Sequence, residues 1–108
     1  PALRDAMIGL AVDTPEYAAD LWTHIARRLR GAPRAEALTV AAACLCLNGD
    51  TVRAGIALDA AFDEAHTSHT PEPRLAGLLS AALRAGLSPE KISQALIAAT
   101  EPRTTDTD

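Results

Sequence analysis

Arg27, Arg28, Arg30 and Arg34 crowd into one short stretch of the chain, dense enough in cations to hold an anion or an acidic partner. The structural alternative is that they close a helix, since cations complement a helix C-terminus and cap its free carbonyls. Leu29, lying among them, has the character of a core residue. The cluster is therefore carried as a partner or anion patch, with helix closure as the simpler role. His66-x-x-His69, with Asp63, Glu64 and Glu72 nearby, is the only group of metal-ligand types. A zinc site needs three or four ligands, and no cysteine is close in sequence to complete one. The simpler reading is a solvated loop, and no metal or cofactor is expected.

Cys44 and Cys46 lie two apart, about 200° around a helix, so they can neither bond each other nor share a metal. No base adjoins either thiol in sequence, which points to inert packing. Trp22 could anchor a partner, but its place between Leu21 and Ile25 reads as core. His24 falls off that stripe, near Asp20 and Arg28, and reads as solvent-facing. There is no nucleophile elbow and no phosphate-binding glycine loop, so no catalytic residue is assigned and an enzyme is not expected.

The elements that must position these groups are helical. The chain has 108 residues, enough for one domain with a real core. Alanine fills 24 positions and leucine 14, while Trp22, Tyr17 and Phe62 are the only aromatics. A core so rich in alanine fills space only where backbones approach closely, as packed helices do. The fold expected is all-α. A net charge of −4 argues against a nucleic-acid binder. No apolar run reaches the roughly 20 residues of a membrane span, and no signal peptide is visible. The free thiols suggest a reducing, cytoplasmic compartment.

Six segments show the helical period. The first, about Leu3 to Val12, turns Leu3, Ala6, Met7, Leu10 and Ala11 inward. Thr14-Pro15-Glu16 then starts a helix that is expected to run to Arg30 and to end on Gly31. Its stripe is Ala18, Leu21, Trp22, Ile25, Ala26 and Leu29. The third segment spans about Arg34 to Asn48, with Leu38, Ala41, Ala42 and Leu45 on one face. The fourth spans about Thr51 to Ala65. A loop, His66 to Pro71, precedes the fifth, about Glu72 to Ala85, whose inner stripe is Leu75, Leu78, Leu79 and Ala82. Ser88-Pro89-Glu90 starts the sixth, which is expected to face the fifth through Ile92, Ala95, Leu96 and Ala99. Short connections make neighbours antiparallel, giving a stack of hairpins over residues 1–100. Residues 101–108 read as a disordered tail.

Ala42, Leu45, Gly49, Asp50, Ala54, Leu58 and Ala61 are spaced as in one tetratricopeptide repeat, a pair of antiparallel helices. A wider ordered set resembles a specific family. It comprises Leu3-Arg4-Asp5-Ala6, Leu21-Trp22-Thr23, Ala26-Arg27, Arg34-Ala35-Glu36-Ala37-Leu38-Thr39, Asn48-Gly49-Asp50, Ala54-Gly55-Ile56-Ala57-Leu58-Asp59-Ala60-Ala61, Leu75-Ala76-Gly77-Leu78-Leu79 and Ala82 to Glu90. Together these are similar to the C-terminal region of the actinobacterial domain-of-unknown-function family numbered four-one-nine-two. The resemblance covers Leu3 to about Leu96, and departs from the family in its longer loop from His66 to Pro73. It implies a cytoplasmic actinobacterial protein with a preceding N-terminal domain, and implies no reaction.

The function expected is a non-catalytic helical module that docks a protein partner or its own N-terminal domain. The alternative is a regulatory or structural part of an enzyme whose chemistry lies in a missing N-terminal domain. Leu87 and Ile97 at one end, and Ile8 and Val12 at the other, lie off the inner stripes. Exposed apolar residues there are expected to give a homodimer or a docking face.

Overall fold

The computed structural model describes residues 15–100 and contains five helices: α1 (Pro15–Ala26), α2 (Gly31–Leu47), α3 (Thr51–Thr67), α4 (Arg74–Arg84) and α5 (Pro89–Thr100). Among the described residues there is no strand. The expected helix over Leu3 to Val12, the Thr14 cap, Ile8, Val12 and the expected tail lie outside the described residues.

Each junction follows from local chemistry. At the α2–α3 turn the Gly49 amide donates to the Cys46 carbonyl at 3.0 Å, and the Asp50 amide reaches back to Leu45 at 2.9 Å. That paired closure requires a left-handed residue, and Gly49, at φ 80°, supplies it without a Cβ penalty. Asp50 then caps α3, its Oδ1 accepting from the Arg53 amide at 3.0 Å. The same pair of bonds closes α4 through Gly86 and Leu87. The Ser88 hydroxyl accepts from the Lys91 amide at 3.2 Å, as expected of a helix start.

Several boundaries differ from expectation. α2 begins at Gly31 and not near Arg34, and α3 continues to Thr67, so that His66 and Thr67 are helical and not loop. The end of α1 and the start of α4 differ as well. α1 stops at Ala26, not Arg30. The Arg28 and Leu29 amides tighten to residues three back, at 3.0 and 3.1 Å, and Arg30 is extended at φ −140°. The chain turns early because Gly31 opens α2 and does not close α1. From φ 68° the Gly31 amide donates to Glu64 Oε2 at 2.7 Å, a tie spanning 33 residues. α4 starts at Arg74, since Pro71 and Pro73 hold the preceding residues out of helix and Pro73 serves as its N-cap.

α2 is the axis of the molecule. It packs against α1, α3, α4 and α5, most extensively against α1 and α3. Its residues Val40 to Cys46 are all buried, so both faces are covered, not the single face expected. Thr39, also fully buried, donates to the Ala35 carbonyl at 2.8 Å and leaves no polar atom stranded. The α2–α3 hairpin closes on alanine: Ala42, Ala54 and Ala61 are 0% exposed, with Leu45 and Leu58 nearly so. α5 departs from a simple stack. Its backbone approaches α2 more closely than α4, because Ile92 and Leu96 are buried in the central core.

Candidate functional site

The arginine cluster is divided by the early end of α1. Arg27, Arg28 and Arg30 are exposed in the connecting turn. Arg34 sits in the first turn of α2, its Nε 3.7 Å from Glu64 Oε1. Glu64 is thereby committed on both oxygens, accepting from the Gly31 amide on Oε2 and, at 3.4 Å, from the Ser68 hydroxyl. A carboxylate at the N-terminus of α2 occupies the place an outside anion would take. The structure thus leaves three arginines facing solvent and uses the fourth to join α2 to α3.

The other candidates lie elsewhere in the described helices and turns. His69 is the left-handed residue that closes α3, at φ 57°, with its amide on the His66 carbonyl at 3.2 Å and the Thr70 amide on Ala65 at 2.9 Å. Both histidines are exposed, and among the described residues no three of His, Cys, Asp or Glu gather as a metal would need. Cys44 and Cys46 are free and fully buried. Burial pushes the Cys44 thiol up to about 12 and Cys46 to about 11, so neither supplies a thiolate near neutral pH. Trp22 is half-buried against the core, and its indole Nε1 has no hydrogen-bond partner among the described residues. His24 is exposed, as its place off the stripe implied.

Two concavities are lined by described residues. One, about 310 Å³ and widely open, lies between α3 and α4, where Phe62, Glu72, Ser80 and Arg84 line it. Its polar groups are solvated at the surface. The other, about 200 Å³, lies between α4 and α5 and is lined by Leu75, Leu78, Leu79, Ala82, Ile92, Ala95 and Leu96. Its floor is the buried Leu79, Ile92 and Leu96; on its rim Leu78 is 61% exposed and Ala95 is open to solvent. Leu78 and Ala95 were both expected to point inward. They do not, because α5 turns its buried side to α2 and leaves α4 without a close partner there.

What the sequence did not single out is the charge beside this groove. Arg74 precedes Leu78 by one helical turn, and Lys91 precedes Ala95 by one turn, so each cation shares a face with a rim residue. The available signal was that i, i+4 spacing. Neither side chain has an ion-pair partner among the described residues. Together these features form an apolar slot with basic flanks.

No curated protein and no solved structure matches the chain. The family described as "Domain of unknown function (DUF4192)" matches residues 1–90, which takes in the α1–α4 arrangement and the start of α5. The chain belongs to the DUF4192 family.

Proposed function

We propose that this domain is a non-catalytic docking module, a tetratricopeptide-like helical scaffold that binds a protein partner or a neighbouring domain of its own protein. The observation that carries the reading is the apolar slot between α4 and α5, with Leu78 61% exposed beside it. What supports the reading is not one exposed side chain but its continuity with the slot, where Leu78 joins the apolar Leu75, Leu79, Ile92 and Leu96 in one open surface. The thiols support the non-catalytic part, since the strongest nucleophile types in the described chain are buried and protonated. The cytoplasmic setting and the actinobacterial origin belong to the same proposal, the former supported by two unpaired cysteines. The solvent-facing Arg27, Arg28 and Arg30 are a secondary contact patch in this reading.

The test is affinity capture with residues 1–108 as bait beside a longer version of the protein, followed by titration of the purified captured protein. A partner held stoichiometrically by residues 1–108 supports the module. Partners or activity found only with the longer protein overturn it in favour of a regulatory part of an enzyme.

A further inference from the structure

The slot between α4 and α5 is specific enough to name the chemistry of what fills it. Its apolar stripe on α4 runs from Leu75 to Ala82, about 10 Å of helix, which matches two turns of a partner helix laid alongside. Arg74 flanks that stripe on α4, and Lys91 flanks the facing side of α5. α4 contains no acidic residue. Glu90, the one acid in the described part of α5, sits about 200° around the helix from the slot residue Ile92. Among the described residues of α4 and α5, the charges beside the slot are therefore cations, in a chain whose net charge is −4.

That charge pattern decides among occupants. A second copy docked face to face would set Arg74 and Lys91 against their own kind, which costs affinity. An occupant with carboxylates beside its apolar ridge meets both cations and covers Leu78 and Ala95. We propose that the α4–α5 slot is a docking site for an acidic amphipathic helix of another protein, with a leucine-type ridge seated over Leu79, Ile92 and Leu96 and carboxylates paired with Arg74 and Lys91. This rests on the docking-module reading and locates its contact surface.

The experiment uses residues 1–108 and a labelled helical peptide of about four turns, with leucines on one face and glutamates bordering them. A twin peptide carries lysines in place of the glutamates. Anisotropy titration should show the acidic peptide bound and the basic twin weaker by about tenfold or more. Leu78→Asp should abolish binding of the acidic peptide. The double variant Arg74→Glu, Lys91→Glu should reverse the preference and bind the basic twin, a gain that misfolding cannot produce. Equal binding of both peptides, no binding of either, or no reversal overturns the proposal. So does a Leu78-dependent dimer in sedimentation, which makes a second copy the occupant. Tighter peptide binding by Leu10→Asp also overturns it, since the chain's own Leu3–Val12 segment then competes for the slot. If a captured partner stays bound to Leu78→Asp, the docking module stands and this location for it fails.

Discussion

His69 holds a backbone conformation that a Cβ penalises. At φ 57° it does for α3 what Gly49 does for α2, but with a side chain present. A left-handed residue costs about 1–2 kcal/mol relative to glycine, partly offset by the greater freedom glycine has when unfolded. His69→Gly is expected to stabilise the fold by about 0.5–1 kcal/mol, raising the melting temperature by a few degrees. An unchanged or lower value would mean that the exposed imidazole contributes more than the turn does. The buried thiols give a second test at this scale. Their folded-state ionisation lies at about 12 and about 11, above the ordinary 9.0. A group whose folded value is raised contributes its stability while protonated. That contribution is complete below pH 9 and is lost as pH climbs from there through 11 to 12. Thermal stability should therefore fall over that window more steeply in the native chain than in Cys44→Ala, Cys46→Ala, and parallel curves would count against buried ionisation. Gly49-Asp50 was legible at this scale because a turn glycine and an acidic cap announce themselves locally. His69 was not, since its role depends on how far α3 continues past Ala65.

Among the helices, α2 shows where periodicity informs and where it misleads. From Leu38 to Leu47 Thr39 is the only hydroxyl and there is no charge, a pattern that marks a helix covered on all sides. A single apolar stripe does not reveal this, because alanine and cysteine fit either face. The α2–α3 contact was more legible, since small residues recur where two backbones must meet. Ala54 is 0% exposed and packs in the cluster that holds Ala42 and Leu45. Ala54→Leu should force the helices apart and cost about 1–3 kcal/mol. A melting temperature unchanged by that substitution would show slack in the hairpin that the burial denies. The early end of α1 was beyond sequence reach for a different reason. It depends on Gly31 and Glu64, 33 residues apart, and no local pattern encodes a tie of that length.

At the scale of the whole molecule, burial is unevenly shared, and that sets which parts open first. α2 touches every other described helix, and its residues Val40 to Cys46 are buried without a break. α5 is attached chiefly to α2, through Ile92 and Leu96, while its side toward α4 is the open slot. Losing α5 exposes those two side chains; opening α2 exposes nearly the entire core. Helices with few buried contacts exchange their amide hydrogens through local opening, and a central helix exchanges through global unfolding. Native-state hydrogen exchange should accordingly rank the Val40–Cys46 amides as the most protected, with an opening free energy equal to that of global unfolding. The Ile92–Leu96 amides should open at lower free energy and with a smaller denaturant dependence, as expected when less surface is exposed. Occupation of the slot by an acidic helix should close that gap, because a ligand that bridges α4 and α5 binds only while α5 is docked. Equal protection of α2 and α5 in the free chain would mean that the slot is braced without a partner, and the case for an occupant would lose its physical basis.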